Sequence, residues 1–123
     1  MRTLQNHAIE RGYEIPLDLG AKDSCQIGGN LANNAGGLNV IRHNSMHANT
    51  IGLKAVMADG TILDNMTTLR KDNTGYDFKH LFIGSEGTLG IITECALLCP
   101  PCPTKKHIAM VTCKTFEDVL ALL

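Results

Sequence analysis

The chain has 123 residues, with 11 basic and 12 acidic side chains and a formal net charge of −1. That length suits one domain or part of one, and with no basic stripe the charge argues against nucleic acid as the main partner. Aromatic residues make up 4% and Trp is absent, so any core is aliphatic; no apolar run approaches the ~18 residues of a membrane-crossing helix.

In chain order, the opening stretch MRTLQNHAIERGYEIP has no apolar run of the kind a signal peptide carries. Residues 3–12 read as a helix, with Leu4, Ala8 and Ile9 as its apolar edge and Gly12 as its stop. Pro16 biases Ile15 towards an extended shape, and Gly20 allows a turn. The uncharged stretch IGGNLANNAGG predicts a short helix over Gly29–Asn34, ended by Gly36 and Gly37. A polar segment, NVIRHNSMHANT, follows. Strands are predicted over Gly52–Ala58 and Thr61–Asp64, joined at Asp59-Gly60 as a hairpin, with Leu53, Ala55 and Met57 alternating against Lys54, Val56 and Ala58. RKDNTGYDFKHLF reads as a loop and one helical turn, and Ile91–Leu98 as a strand. The prolines of CPPCP break regular structure. HIAMVTC reads as a further strand, and Thr115 caps a last helix with Glu117 and Asp118 in its first turn. That helix ends at Leu123 with its apolar face barely begun, and Met1 opens inside a helix. The chain therefore reads as a segment of a longer protein.

The five cysteines are Cys25, Cys95, Cys99, Cys102 and Cys113. An odd count argues against a closed disulfide framework and fits a reducing compartment. Cys99-Pro-Pro-Cys102 has the outline of a metal or redox pair, but structural zinc takes four ligands and no second pair follows. The five histidines form no H-x-H or H-E-x-x-H pattern. Arg70-Lys71-Asp72 reads as a solvated loop, with approach to a substrate carboxylate as the alternative.

Glycine-rich backbone can turn its N–H groups towards an anion, most often phosphate. The lack of charge in IGGNLANNAGG fits amide dipoles holding a pyrophosphate, and its asparagines suit sugar or ribityl hydroxyls. A tight turn packed for structural reasons explains the same composition. Neither common nucleotide fingerprint is present: no lysine follows as in a P-loop, and the glycines at 84, 87 and 90 do not have the Rossmann spacing. Two glycine-rich clusters, with Glu86 their only charged residue, point to a large cofactor lying along backbone.

PLDLGAKDSCQIGGNLANNAGG, GLKAVMADGTIL and RKDNTGYDFKHLFIGSEGTLGIIT resemble the FAD-binding domain of the vanillyl-alcohol-oxidase type flavoproteins, in their D-2-hydroxy-acid dehydrogenase branch. The resemblance runs from about Gly12 to Leu123. It implies an α+β fold: the second subdomain of a PCMH-type FAD-binding domain, mainly antiparallel sheet with flanking helices, over residues 1–102. Residues 103–123 would begin the substrate-binding cap. It implies that Pro16, Asp18, Ala21, Ser24 and Cys25 run along the flavin and pyrophosphate. Gly28, Gly29, Asn30, Asn33, Asn34, Ala35 and Gly36 would form the loop and short helix that cradle the cofactor. Glu86, Gly87, Gly90, Ile91 and Ile92 would form the last FAD segment, where strand backbone meets the adenine edge. Where the family pattern reads Arg-Tyr-Gly, this chain has Arg42-His43-Asn44. Asn tolerates positive φ better than most residues, but a packing aromatic is lost at His43.

The implied substrate is a small 2-hydroxy acid. PLDLGAK with RKDNTGYD favours D-2-hydroxyglutarate, oxidised to 2-oxoglutarate, over D-lactate or glycolate. The implied location is mitochondrial, and the electron acceptor is left open. The family's catalytic histidine, metal-binding residues and first pyrophosphate loop match nothing in this chain, so no catalytic or metal residue is expected in it. The competing readings are an inactive partial flavin module and an α+β domain without a ligand.

Overall fold

The computed structural model describes residues 1–122 and centres on a three-stranded antiparallel sheet of order β2-β1-β3. Its strands are β1 (Thr50–Val56), β2 (Ile62–Asn65) and β3 (Ile91–Leu97). Six helical segments accompany it: α1 (Arg2–Ile9), α2 (Ile27–Ala32), α3 (Val40–His43), α4 (Met46–Asn49), α5 (Lys79–Phe82) and α6 (Phe116–Leu122). The expected α+β class, mainly antiparallel sheet with flanking helices, is the class observed. Leu123, the end of the expected last helix, lies outside the described residues.

The hairpin forms because Gly60 takes φ +84°, a conformation glycine adopts without steric cost. Gly60 N–H donates to Met57 C=O at 3.0 Å, and Met57 N–H to Thr61 C=O at 2.9 Å. The loop is thus Ala58-Asp59-Gly60, a turn closed by a left-handed residue. The Asp59 carboxylate fastens it by accepting from Thr61 N–H at 2.9 Å. This longer loop explains why the facing strand ends fall at Val56 and Ile62 rather than at Ala58 and Thr61. Met57 falls in the turn and is exposed.

Period-two alternation sends Leu53 and Ala55 of the central strand inward, both fully covered. They meet Leu31, Met46, Phe82 and Ile83, together with Ile15 and Leu17 from the extended segment after α1. On the other face Lys54 Nζ lies 3.1 Å from Asp64 on β2 and 3.0 Å from Glu94 on β3. Those residues are register partners of Lys54 on both sides. The hydrogen bonds that Lys54 donates to Glu94 and then to Asp64 raise its pKa. Exposed pairs of this kind contribute little energy, yet they fix one register across all three strands.

Several expectations need correcting. The segment 107–113 is not a strand: it pairs with no other strand among the described residues, and Ile108 and Met110 are almost wholly exposed. β-branched composition describes a half-buried pleated surface and forms a strand only beside a partner. The apolar edge of α1 is covered only in part: Ala8 packs on the core, while Leu4 and Ile9 are 37% and 58% exposed. The polar stretch after Gly37 holds two single turns, α3 and α4, too short to show periodicity. Other expectations match. Gly12 at φ +80° ends the α1 region, with Tyr13 N–H closing onto Ala8 C=O at 3.0 Å. The CPPCP stretch stays outside the sheet and runs antiparallel to residues 12–14. There Pro100 C=O accepts from Glu14 N–H, and Cys102 N–H donates to Gly12 C=O, both at 2.9 Å. Thr115 caps α6 by accepting from Asp118 N–H, while Asp118 accepts from Thr115 N–H, each at 3.2 Å.

The Arg42-His43-Asn44 departure has a visible consequence. Asn44 adopts φ 61°, ψ −170°, a region that is essentially glycine's own. The Cβ is therefore carried at a strain of order 1–3 kcal/mol. His43 sits mostly buried with Nε2 3.5 Å from Glu14 Oε1. We expect Asn44→Gly to raise unfolding stability by about 1 kcal/mol in urea titration, because only the strained side chain is removed; a destabilised variant would show that the Asn44 side chain holds the loop.

Candidate functional site: two glycine-rich segments meeting on one short helix

α2 begins at Ile27, two residues earlier than the sequence predicts, after Gln26 in extended conformation. Leu31 and Asn30 face inward, and Asn30 Nδ2 lies 3.4 Å from Cys25 Sγ. Asn33 Nδ2 donates to Gly29 C=O at 2.9 Å. Gly28 is pressed against β3: a Cβ there would stand 3.2 Å from Ile92 C=O. Gly29 is exposed, and a Cβ there would have no heavy atom within 4 Å.

Asn34, not Gly36-Gly37, ends the helix. It takes φ 50°, with its N–H donating to Leu31 C=O and Ala35 N–H donating to Asn30 C=O, both at 2.9 Å. That pair of bonds is a Schellman closure with Asn in the left-handed position. The Asn34 side chain then accepts from His47 N–H at 2.8 Å, and Ala35 C=O accepts from Met46 N–H at 2.9 Å. Gly36 packs against Val40, and Gly37, at φ 68°, bridges to Asp18, whose C=O accepts from Leu38 N–H at 2.8 Å.

The second glycine segment docks on the same helix end. Gly84 N–H donates to Leu31 C=O at 3.1 Å and Glu86 N–H to Ala32 C=O at 2.9 Å. The chain reaches those carbonyls through φ +86° at Gly84, +53° at Glu86 and +80° at Gly87. Glu86 and Gly87 are exposed. Gly90 passes close to Val56 C=O, where a Cβ would stand at 2.6 Å. Ile91 is exposed and Ile92 packs on the core.

The structure thus gathers Cys25, Gly28, Gly29, Asn30, Asn33, Asn34, Ala35, Glu86 and Ile92 on or beside α2. The remaining candidates sit differently. Pro16 is fully buried in the core. Asp18 is tied to Lys22 at 2.9 Å. Ala21 C=O accepts from Ser24 N–H and Cys25 N–H at 3.0 and 2.9 Å, making the turn that leads into α2. Sequence reading missed the contribution of His47, whose main chain anchors Asn34; its single-turn helix gives no periodic signal. Burial raises the pKa of the Cys95 and Cys99 thiols, which disfavours the thiolate that binds metal. Among the described residues no group of three His, Cys, Asp or Glu side chains has metal-holding geometry.

The α+β scaffold recurs in solved structures. Two crystal forms of alkyldihydroxyacetonephosphate synthase superpose at TM-scores of 0.71 and 0.70, with 25% and 27% identity. Each match covers 85% of this chain and 18% of that enzyme. The pattern that describes the FAD binding domain family matches residues 1–65, more than half of the chain. The chain belongs to the FAD binding domain family. It is 56% identical over 120 residues to the mitochondrial D-2-hydroxyglutarate dehydrogenase of Bos taurus. It is 52% identical over 123 residues to a probable mitochondrial D-2-hydroxyglutarate dehydrogenase of Oryza sativa subsp. indica. A putative mitochondrial D-lactate dehydrogenase of Schizosaccharomyces pombe is 52% identical over 120 residues. These matches cover 98–100% of this chain but only 22–23% of the relatives' length.

Asn34→Ala should cost about 2 kcal/mol in a denaturant titration, combining roughly 1–2 kcal/mol for a Cβ in the left-handed region without Asn's local bonding and ~1 kcal/mol for the bond from His47. An unchanged midpoint would show that the helix end does not depend on Asn34.

Proposed function

We propose that this chain is a flavin-holding segment of an FAD-dependent dehydrogenase whose whole-protein reaction is oxidation of D-2-hydroxyglutarate to 2-oxoglutarate. The observation that carries the flavin reading is Gly29. A glycine inside a helix is about 0.5–1 kcal/mol less stable than alanine. At Gly29 the fold gives no compensating reason, since a Cβ would meet no protein atom. A ligand lying on that backbone supplies one. The surface offers a large neutral cofactor fragment exposed amides, the Asn33 side chain, and the turn at Glu86 and Gly87.

In this reading Gly28, Gly29 and Asn33 border the cofactor on α2, and Glu86, Gly87, Gly90, Ile91 and Ile92 border it along the turn and β3. Ala21, Ser24 and Cys25 line the approach to α2. Pro16, Asp18, Asn30, Asn34, Ala35 and Gly36 set the backbone path. Bound FAD would accept the hydride equivalent from the hydroxy acid. The chain's own residues orient the cofactor, and we assign none of them to proton abstraction or metal binding. Residues 1–102 are read as flavin domain and 103–123 as the start of the cap, a division supported by the crossover after β3 at Cys99–Pro103. The many large apolar side chains left exposed, such as Leu38, Ile41 and Ile108, are surfaces that further protein would cover.

The substrate reading rests on PLDLGAK, RKDNTGYD and the names of the bovine and rice relatives. The fission yeast relative carries a D-lactate name at comparable identity, so D-lactate is the second reading. Mitochondrial location follows from the same names.

Gly29→Val should weaken FAD binding to the purified chain at least tenfold, read by flavin fluorescence, with the unfolding midpoint nearly unchanged; equal affinity in the two proteins would remove this helix from the cofactor site. The chain with added FAD and D-2-hydroxyglutarate should reduce a dye acceptor no faster than flavin alone. Turnover above that blank would show that catalytic groups lie in this segment.

A further inference from the structure

A cavity of ≈ 470 Å³ opens among the loop after β2, α4 and α5. Its wall carries Arg70, Lys71 and Lys79 against Asp72 and Asp77. Three cations and two carboxylates leave a net charge of +1 when the histidines there are neutral. Both carboxylates are already engaged. Asp72 Oδ1 accepts from Thr74 N–H at 3.0 Å and from the Thr74 hydroxyl at 2.6 Å. Asp77 holds Lys79 and lies 3.3 Å from His80 Nε2. Arg70 and Lys71 enter no ion pair among the described residues.

One side of the cavity is formed by two histidine rings. The rings of His47 and His80 stack with centroids 3.8 Å apart and planes 14° apart. His80 Nδ1 is sealed from solvent without a hydrogen-bond partner. Burial first, and then the charge of His47, hold the His80 pKa below its ordinary 6.5. His80 is therefore poorly suited to carry the site's charge at neutral pH, and Arg70 and Lys71 stand as the cations without a carboxylate partner among the described residues.

We infer that this cavity is an anion site in which Arg70 and Lys71 hold a small oxyanion, a carboxylate or a phosphate. A guanidinium matches either group through paired N–H donors, and a lysine adds a mobile point charge. His47 is shared with the glycine-rich surface through its main-chain bond to Asn34, but Arg70 and Lys71, which carry the proposal, are not, so the two readings can be tested separately.

The test is a titration of the full 123-residue chain, read by NMR at the His47 and His80 side chains and at the amides of residues 70–77. Three ligands are compared at matched ionic strength: 2-oxoglutarate, inorganic phosphate and sodium chloride. Saturable shifts with 2-oxoglutarate alone support a carboxylate site, and with phosphate alone a phosphate site; with both, the shared oxyanion chemistry suffices. Arg70→Gln and Lys71→Gln should each raise the dissociation constant at least fivefold. Both side chains are exposed, so the variants should keep the dispersed amide spectrum of the parent. They should also keep its FAD titration, which separates failure of this site from failure of the flavin reading. Shifts that grow linearly, match those from chloride, or persist unchanged in both variants would overturn the assignment.

Discussion

The carbonyl groups at the C-terminal end of α2 are the constraint on which the rest of this structure depends. A six-residue helix cannot satisfy its last carbonyls internally, and a buried unpaired carbonyl costs about 1–3 kcal/mol. Here Leu31 C=O takes two donors, Asn34 N–H at 2.9 Å and Gly84 N–H at 3.1 Å, and Ala32 C=O takes Glu86 N–H at 2.9 Å. Those bonds bring two segments about 50 residues apart in sequence into one surface. They also require left-handed backbone at Asn34, Gly84 and Glu86, which explains the density of Gly and Asn at both places. Glycine composition, helix closure and site geometry follow from the same requirement.

The sheet makes that arrangement rigid. Leu31, in the last turn of α2, is fully buried against the core that Leu53 and Ala55 provide. Gly28 lies against the Ile92 carbonyl, so α2 is packed on β3 as well as capped by the turn that precedes it. The helix is held from its inner face and from its end, while its Gly29 side stays open. A rigid support with one bare backbone face suits a cofactor that is bound by shape and amide dipoles rather than by charge.

Much of this was legible in the sequence where a local rule governs. Asp59-Gly60 announced the hairpin, Thr115 with Asp118 the last helix, and the apolar run from Ile91 the third strand. The failures lie where a distant partner decides. HIAMVTC has strand composition but meets no strand partner among the described residues. Gly36-Gly37 looked like the natural stop for α2, yet Asn34 supplies it, because its side chain also anchors His47. The extra residue in the hairpin loop moved both strands. As for the site, the two glycine-rich clusters were visible as a pattern. Their meeting on a single helix end was not, since backbone N–H to C=O bonds leave no mark on residue type. The same holds for the His47–His80 stack, formed by two single-turn helices.

An amide chemical-shift map of the isotope-labelled chain during FAD titration tests most directly whether the backbone from Gly28 to Asn33 and from Gly84 to Gly87 forms the proposed flavin-binding surface. The largest saturable shifts are expected at Gly28, Gly29, Asn33, Glu86 and Gly87, moving with a common dissociation constant. Shifts absent from both segments, or two segments that saturate independently, would contradict it.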